Sequence, residues 1–497
     1  MSAANAHRTR QWLQLALICL SFVPVTIDAT ILYVAIPPVV TALGADAIEM
    51  LWIVDIYPFV TAGLVLLTGP LGDRFGHQRM LLVGLLVFAV ASALAAYSWS
   101  PEMLIAARAL KGAGGAMIVP SSLALIRILF DDPKQRAVGI GLWGALASAG
   151  SASGPVIGGL LLEHFWWGSL FLVNVPVALG LAAVLSRLIP NRILGLGHAI
   201  SPLSPFLGLT GVLAVVYALK RAAHGDFLSL VPVMALLVGL AALILFVRRE
   251  LSAEHPLLDL RLFAIGIFRT AVFAAILTSM TLIGFELFLT QYLQMVVGLS
   301  AFEAGLAFLP FPIAGVIFGP IGGYLNGRIG SMQTAAIGIA VAIIGYVAIS
   351  MIDLHSVGWE LFVILAVISG GHALTMSAAT NAIMSSAPEE RAGAAAGIES
   401  VSFEFGAGLG VAFFGSIMTA VYIRTFVAPS GMQIDPGHSL GEALRAAQSL
   451  PAAFAEQLVA AARSAYLDGF HVIQYAAIAI LVAIGAIVLA RMARPDR

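Results

Sequence analysis

Asp28 is an isolated acid in the first long apolar segment of the chain. From Trp12 to Ile36 the sequence contains no other acid and no base. A charged side chain at the centre of a bilayer costs about 2.5–3.5 kcal/mol or more, so such a residue is seldom present without a use. Protonation removes most of that cost, because the neutral acid carries no charge into the bilayer. We therefore predict that Asp28 couples protons; the alternative is a structural acid that hydrogen-bonds a neighbouring helix.

A later apolar segment holds two acids, Glu399 and Glu404. Five residues of α-helix turn by about 140°, so the two side chains do not share one face. We expect one of them to face a central cavity and the other to face a neighbouring helix. Glu404 is the better candidate for binding a cation, and Glu399 is the better candidate for exchanging a proton.

Further candidate ligands for a cation lie in other apolar segments. Asp55 and Glu286 are each either a cation ligand or a structural acid. Tyr57, Trp143 and Trp52 offer ring faces on which a planar cation could stack. The alternative is that these rings only pack in the protein or face lipid.

The elements that must position these residues are strongly apolar. Of 497 residues, 60% are hydrophobic and 10% are charged, and the mean hydropathy is +1.00. Soluble domains carry about 25% charged residues. The apolar runs are continuous and do not alternate as the strands of a membrane barrel do, so we predict an all-α integral membrane protein. The net charge of −1 gives no reason to expect a nucleic-acid partner.

The sequence carries no feature of an enzyme or of an ATP-driven pump. Cys19 is the single cysteine, which excludes disulfides within the chain and any site built from several cysteines. No nucleotide-binding loop of the form Gly-x-x-x-x-Gly-Lys-Ser/Thr and no cluster of metal ligands is present. We therefore expect no catalytic residue, no metal and no cofactor.

Fourteen apolar stretches can be counted, and each approaches the length of about 20 residues that a membrane-spanning helix needs. With both termini in the cytoplasm, most of the 25 Lys and Arg residues fall on the cytoplasmic side, as the positive-inside rule requires. The predicted spans lie near 12–36, 50–70, 79–97, 103–126, 137–161, 168–189, 202–220, 229–247, 270–294, 304–326, 334–352, 358–384, 394–423 and 470–491.

The outer connections hold few bases, among them Lys220 and Arg445. The last of these connections, about 424–468, is the only long one. It is rich in Ala, Leu, Glu and Gln, and we predict two short amphipathic helices separated at Pro451. This connection either caps the outer mouth of the protein or only tethers two helices.

The sequence contains an internal repeat. A Gly-Pro pair begins at Gly69 near the end of the second span and at Gly319 near the end of the tenth. The loops after the fourth and twelfth spans both contain Pro-x-x-Arg, beginning at Pro133 and Pro388. The two matches have nearly the same offset, so spans 1–6 correspond to spans 9–14. Spans 7 and 8 are then an insert between two halves.

These features resemble the fourteen-helix drug:proton antiporters of the major facilitator superfamily, and the resemblance covers nearly the whole chain. The residues that carry it lie in spans 1, 2 and 13, at 27–37, 52–57 and 397–406. It implies a major facilitator fold with 14 transmembrane helices, built as two six-helix halves plus two inserted helices. The corresponding segments are 1–195, 196–250 and 251–497, the last of which includes the outer loop 424–468.

The segment after span 2 resembles the first signature of this family, Gly-x-x-x-Asp-Arg-x-Gly-Arg-Arg/Lys. Gly69, Asp73, Arg74 and Gly76 match it, whereas His77 replaces the base that follows the second glycine. The resemblance implies a conformational latch, in which the charged pair at a helix end favours one orientation of the two halves. The glycines would allow close approach. The alternative is an ordinary positive-inside loop.

Arg108 matches the membrane-buried arginine of a second family signature, which the resemblance implies assists proton transfer. A guanidinium keeps its proton, so it would act by changing how readily a neighbouring carboxylate takes one up. Family members usually have glutamine where Lys111 stands. Lys111 is either a second buried cation or a side chain that snorkels to the outer surface.

Span 5 resembles the signature that marks antiporters within the superfamily. Its matching residues would let helices meet closely, and its proline would bend the helix. The alternative is packing of small residues without a special role. The matching residues are Gly150, Gly154, Pro155, Gly158 and Gly159.

The sequence thus predicts a monomeric bacterial inner-membrane antiporter that exports lipophilic organic cations and is driven by the proton gradient. The resemblance implies quaternary ammonium compounds, methyl viologen, cationic dyes and biguanides as substrates. An acid in an apolar cavity can hold a proton or a cation, but leaving it charged and without either is unfavourable. Binding of one therefore displaces the other. The alternative is proton-coupled transport of an endogenous metabolite or an anionic solute. An anion would call for several bases in the cavity.

Overall fold

The computed structural model describes residues 3–130, 132–189, 203–223, 229–254, 256–352, 358–388, 391–428 and 438–493. Helices account for 90% of the structure, and this part of the chain contains no strand. A short 3-10 helix, Leu260–Ala264, and a π-helix, Tyr292–Val297, flank the tenth α-helix. The α-helices within these ranges are α1 (Ala3–Leu43), α2 (Ala47–Phe75), α3 (His77–Ala96), α4 (Pro101–Leu129), α5 (Pro133–His164), α6 (Ser169–Leu172), α7 (Asn174–Leu188), α8 (Leu203–Ala223), α9 (Leu230–Ser252), α10 (Gly266–Gln291), α11 (Ala301–Phe308), α12 (Pro310–Ile329), α13 (Ser331–Ile349), α14 (Trp359–Ser386), α15 (Ala392–Thr425), α16 (Leu440–Ala447) and α17 (Ala452–Met492).

Among the described residues, 14 helical segments are long and apolar enough to cross a membrane, which confirms the predicted number of spans. Three of these segments consist of two helical pieces: α6 with α7, α10 with the π-helix, and α11 with α12. The all-α membrane fold predicted from the composition is therefore confirmed.

The last span begins earlier than predicted. Helix α17 starts at Ala452 and continues without interruption to Met492, whereas apolarity alone placed its start near residue 470. Pro451 is the N-cap residue of α17, with φ of −58°. Proline is tolerated at a helix start because its fixed φ suits that position and its missing N–H is not needed there. Of the two short amphipathic helices predicted in the outer connection, only α16 is a separate helix.

The first six spans and the last six pack in the same order. Helix α1 packs on α5, and both α2 and α3 pack on α4. The corresponding contacts in the last six spans are those of α10 with α15, and of α12 and α13 with α14. This agreement supports the internal repeat seen in the sequence. The predicted boundary at residues 195 and 196 lies outside the described ranges and stays a prediction.

Glycines form equivalent turns in the two halves. Gly76 joins α2 to α3 with φ of 95°, and Gly330 joins α12 to α13 with φ of 93°. Residues with a Cβ rarely adopt such values, so both turns require glycine. We call the end of the bundle that carries these turns the Gly76 face, and the opposite end, which carries α16, the α16 face.

The two inserted helices lie at the side of the bundle. Helices α8 and α9 pack against each other, and α8 also packs against α2 and α15, which contact one another. Only 17% of the most apolar stretch of α9 is buried, so α9 lies on the outside. Helix α8 therefore covers the line along which one half, through α2, meets the other half, through α15.

Helix α16 covers the turn between α1 and α2. Arg445 donates hydrogen bonds to the carbonyl of Val40 at 2.6 Å and to the carbonyl of Ala45 at 2.8 Å. Glu442 accepts a hydrogen bond from the backbone N–H of Ala47 at 3.0 Å. A small cavity of about 80 Å³ lies beneath this helix. Of the two roles considered for the last outer connection, the structure shows the cap.

Candidate functional site

Asp28 is buried where α1 meets α4. Its carboxylate forms a close ion pair with Nζ of Lys111, and its second oxygen lies 3.6 Å from a guanidinium nitrogen of Arg108. The three residues are 0%, 0% and 2% exposed, so Lys111 does not snorkel to a surface. The cluster combines one negative charge with two positive ones. Any change in the charge of Asp28 must therefore change the electrostatic energy of both bases.

Aromatic rings surround the two bases of this cluster. Nζ of Lys111 lies 4.8 Å from the ring centre of Phe88 and 4.9 Å from that of Phe171. The guanidinium of Arg108 lies 5.4 Å from the ring centre of Tyr57. The negative faces of aromatic rings attract cations. Such a contact contributes about 0.5–2 kcal/mol, with the larger value where water is excluded. The rings thus help to stabilise positive charge inside the bundle.

Acids from the second half interact electrostatically with two tyrosines of the first half. Glu286 on α10 and Glu404 on α15 both interact electrostatically with Tyr33 of α1. Glu404 also interacts with Tyr57 of α2, and Arg108 interacts with both tyrosines. Both glutamates are half-buried. Carboxylates of the second half thus lie within electrostatic range of aromatic residues of the first half, which is a chemistry suited to an organic cation.

Glu399 lies apart from this group. Its Oε1 accepts a hydrogen bond from the hydroxyl of Thr380 on α14 at 2.9 Å. Of the two acids on α15, Glu399 thus bonds a neighbouring helix of its own half, while Glu404 interacts electrostatically with tyrosines of the first half. That one of them faces a central cavity stays a prediction.

Asp55 forms a buried ion pair with a residue that was expected in an outer loop. Its Oδ2 lies 2.7 Å from Nζ of Lys220, and both side chains are 0% exposed. The same ammonium lies 3.8 Å from the ring centre of Trp52. Helix α8 continues to Ala223, one turn beyond the apolar stretch seen in the sequence. The predicted loop position of Lys220 is therefore wrong, because its charge is neutralised by Asp55 inside the protein.

Trp143 packs within the first half. Its ring stacks on Phe22 of α1 with ring centres 4.3 Å apart and planes at 1°. Its Nε1 donates a hydrogen bond to the hydroxyl of Ser122 on α4 at 3.0 Å. In this structure one ring face and the indole N–H are thus already used, which favours the packing interpretation over a stacking site.

The glycines of span 5 bring α5 against α1 beside Asp28. A Cβ at Gly154 would lie 2.9 Å from the carbonyl of Ile27, and Thr26 would block a Cβ at Gly150. The hydroxyl of Thr30 donates a hydrogen bond to the carbonyl of Ser151 at 3.0 Å. The backbones therefore approach too closely for any side chain at these glycines.

The same span also contacts the second half. The carbonyl of Pro155 would lie 2.5 Å from a Cβ at Gly305 of α11, and the backbone of Phe302 would block a Cβ at Gly159. At Gly158 the neighbouring helix is α1, because a Cβ added there would lie 2.7 Å from the side chain of Ile31. The matched residues of span 5 thus form a three-helix contact that joins α1, α5 and α11 towards the α16 face.

The predicted latch residues make local contacts. Asp73 pairs with His77 at 3.0 Å across the turn at Gly76, and the guanidinium of Arg74 lies 5.3 Å from the ring centre of Phe75. At Gly69 a Cβ would meet no atom within 4 Å. In the described part of the chain, the hydrogen bond between Asp73 and His77 therefore links α2 to α3 and does not link the two halves. His77, which replaces the base of the family signature, is thus the partner of Asp73.

Three residues of these sites were missed in the sequence. Tyr33 is one of many aromatic residues in apolar segments, and nothing in its neighbours marks it. Lys220 is the last residue of the predicted apolar stretch 202–220, and a base at that position predicts the start of a loop. Arg445 reads as an ordinary base in an outer connection. One signal was available for Lys220. An intramembrane acid such as Asp55 needs a partner, and a base in the insert could supply it.

Comparison with known proteins agrees with this architecture. The family model described as Major Facilitator Superfamily matches residues 18–411. The chain is 41% identical to the methyl viologen resistance protein SmvA of Salmonella typhimurium over 92% of this chain and 93% of the relative. It is 37% identical to the multidrug efflux pump LfrA of Mycolicibacterium smegmatis over 97% and 96% of the two chains.

Solved structures show the same fold at low identity. A bacterial homologue of the human lysosomal transporter Spinster, in an inward-facing and unoccupied conformation, superposes with a TM-score of 0.65 at 16% identity. The match covers 97% of this chain and 98% of the other. These comparisons confirm the predicted major facilitator fold and the prediction that the protein is a transporter and not an enzyme. The chain belongs to the Major Facilitator Superfamily.

Proposed function

We propose that this protein is a proton-coupled multidrug efflux antiporter that exports lipophilic organic cations. The observation that carries the proposal is the electrostatic interaction of Glu286 and Glu404 of the second half with Tyr33, and of Glu404 with Tyr57, both tyrosines of the first half. Carboxylates neutralise a cation, and the ring faces attract it and cover its apolar parts. The resemblance to exporters of methyl viologen and other drugs supports the same class of substrate.

Arg108 is the element that couples the cation to the proton in this proposal. It lies 3.6 Å from Asp28 and interacts electrostatically with both tyrosines that face the glutamates. When a proton neutralises Asp28, the charge of Arg108 loses its balance and opposes a cation held by the glutamates. Protonation thereby promotes cation release, and loss of the proton restores binding. Binding of the two ligands is mutually exclusive, which is the requirement for exchange.

The alternative of an anionic substrate is less well supported. Arg108 and Lys111 are the bases that such a substrate would need, and both are already held by Asp28 and by aromatic rings. The glutamates would repel an anion from the same cavity. A metabolite that is itself a cation remains compatible with this chemistry.

The proposal also assigns the orientation and the energy source. Both termini lie in the cytoplasm of a bacterium, the Gly76 face is the inner face, and the α16 face is the outer face, as the distribution of bases favours. The proton gradient across the inner membrane drives the exchange, and one chain is the transporting unit. Residues 1–195 and 251–497 form the two moving halves, and residues 196–250 form the insert.

Everted membrane vesicles provide the test of this function. Vesicles energised by respiration would receive a panel of monovalent and divalent organic cations, and the collapse of the proton gradient would be recorded with a pH-sensitive dye. We expect quaternary ammonium compounds, methyl viologen and ethidium to collapse the gradient only where the protein is present. Organic anions that collapse the gradient while all cations fail would overturn the proposal.

A further inference from the structure

Helix α8 places a lysine in a pocket whose chemistry suits an organic cation. Nζ of Lys220 lies 2.7 Å from the carboxylate of Asp55 and 3.8 Å from the ring centre of Trp52. A carboxylate beside the face of an indole ring is the combination that binds ammonium ligands in proteins. Here the ammonium comes from the protein itself, and it enters from the inserted pair of helices.

An apolar cavity lies one helical turn further along the same contact. It has a volume of about 340 Å³ and lies between α2, α8, α9 and α15. Phe59, Val212 and Phe405 line it, and these three side chains belong to the cluster that also packs Trp52. Phe59 stands four residues after Asp55 on α2, which places it on the same helix face about 6 Å away. The ammonium pocket and the apolar cavity therefore border the same apolar cluster of side chains.

The two features together define one class of ligand. A lipophilic ammonium compound would place its positive end at Asp55 and Trp52 and its hydrocarbon part in the cavity. A neutral lipid chain would use the cavity alone, because it has no charge to place beside Asp55. An anion would meet the carboxylate and be repelled.

We propose that Asp55, Trp52 and the apolar cavity form a second cation site, which Lys220 occupies as a tethered competitor. This inference rests on the proposed function, since it adds a site for the same class of substrate. A lipophilic cation binds there only after it displaces the lysine ammonium. The insert then has a role in transport: it sets the affinity of a site at the seam between α2 and α15.

Removal of the tethered ammonium tests this proposal. Ethidium would be the probe, and its fluorescence would be titrated with purified wild-type protein, with Lys220→Met and with Asp55→Asn/Lys220→Met at one fixed neutral pH. We expect Lys220→Met to bind ethidium about tenfold more tightly than the wild type, because loss of a competing occupant raises the apparent affinity. The double variant should lose this gain, because the carboxylate is gone.

Arg221→Met is the matched control. Arg221 is the next residue on α8, its side chain is exposed, and its Nε lies 3.3 Å from the hydroxyl of Tyr217. Removing this base should leave ethidium affinity unchanged. An equal gain in Arg221→Met would mean that affinity rises through a general change in charge and not through removal of the ammonium from the Asp55 pocket. This result would overturn the proposal.

A second measurement addresses the stability of Lys220→Met, which leaves a buried carboxylate without its partner. Tetraphenylphosphonium would be added during purification, and its effect on the melting temperature would be recorded. We expect a larger stabilisation of Lys220→Met than of the wild type, because at a fixed concentration a ligand that binds more tightly stabilises the folded state more. If Lys220→Met is not stabilised by the cation while the double variant folds normally, Lys220 is a structural partner and the proposal fails.

The outcome also separates this site from the proposed function. Wild-type protein that binds ethidium, together with Lys220→Met that binds it no better, would leave the transporter proposal intact and reject the second site. Failure of both proteins to bind ethidium or tetraphenylphosphonium would reject both. Tighter binding in Lys220→Met that disappears in Asp55→Asn/Lys220→Met is the result that supports the second site.

Discussion

Asp28 is held by two bases, so its replacement has two separable consequences. Asp28→Asn should abolish proton-coupled efflux, because the group that exchanges the proton is lost. It should also destabilise the protein by about 3–5 kcal/mol, because two buried bases lose their counter-charge. Asp28→Asn/Lys111→Met removes one of these bases and should recover much of the stability without recovering transport. Ethidium efflux and melting temperature would be measured together; efflux near the wild-type level in either variant would reject Asp28 as the coupling group.

Arg108 should carry the effect of the proton to the cation site. In the wild type, ethidium affinity should fall as the pH is lowered, because protonated Asp28 leaves Arg108 unbalanced beside the glutamates. In Arg108→Gln, this pH dependence should be reduced, whereas Arg108→Lys, which keeps the charge, should retain more of it. Binding titrations across pH would measure the difference. A pH dependence in Arg108→Gln identical to that of the wild type would exclude this route of coupling.

Glu404 and Glu286 should distinguish divalent from monovalent substrates. A divalent cation brings two charges into a site of low dielectric, where an unmatched charge costs several kcal/mol. Glu404→Gln and Glu286→Gln should therefore weaken methyl viologen binding by at least about tenfold, which corresponds to 1.4 kcal/mol. Tetraphenylphosphonium binding should change less. Glu399→Gln is the control on the same helix, since Glu399 bonds Thr380 instead of facing the tyrosines, and equal losses in all three variants would contradict the assignment.

At the scale of elements, α16 is a clamp between the halves that must open when the α16 face opens. Arg445 donates two hydrogen bonds to carbonyls of the α1–α2 turn, and hydrogen bonds of charged groups contribute about 1.5–3 kcal/mol each. Arg445→Ala should shift the population towards the open α16 face. Spin labels at Thr41 and Ser449, both exposed, would report a longer distance between the two sites.

Arg463→Ala is the control for this clamp. Arg463 is also an exposed base near the α16 face, but its Nε donates to the carbonyl of Met295 within the second half at 3.0 Å. Its removal should leave the distance between the labels unchanged. The clamp interpretation fails if Arg445→Ala gives the wild-type distance distribution, or if Arg463→Ala gives the same shift.

The contact of α5 with α1 can be tested at one glycine. Gly154→Val places a side chain against the Ile27 carbonyl and Thr30, and overpacking of this kind costs about 1–3 kcal/mol. Gly141→Val on the same helix is the control, because a Cβ there meets no atom within 4 Å. We expect Gly154→Val to lower both melting temperature and efflux and Gly141→Val to preserve both. Full efflux by Gly154→Val would show that close approach is dispensable.

For the whole molecule, the periodic and compositional signals in the sequence were sufficient for the fold. Apolar length predicted the 14 spans. The Gly-Pro pairs at Gly69 and Gly319 and the Pro-x-x-Arg loops predicted the repeat. The partners of the buried charges could not be predicted, because they depend on which helices become neighbours. Lys111 and Lys220 contact acids that are distant in sequence, and their burial follows from those contacts.

Helix boundaries were predicted less well where polar residues are buried or where an amphipathic helix continues into a span. Helix α8 extends past the apolar stretch because Lys220 is neutralised, and α17 begins at Ala452 because Pro451 starts the helix. The cap formed by α16 was one of two open alternatives, since Arg445 bonds backbone carbonyls that carry no sequence signal. Tertiary contacts determine each of these features.

The most direct measurement of proton-coupled exchange uses purified protein in liposomes, without ATP or any other energy source. An imposed pH gradient, acidic inside, would be the only driving force, and accumulation of radiolabelled tetraphenylphosphonium would be followed. The membrane potential would be clamped with potassium and valinomycin. We predict accumulation by the wild type that a protonophore abolishes and that Asp28→Asn does not show. Accumulation that is the same with and without the pH gradient, or the same in Asp28→Asn, would contradict the account.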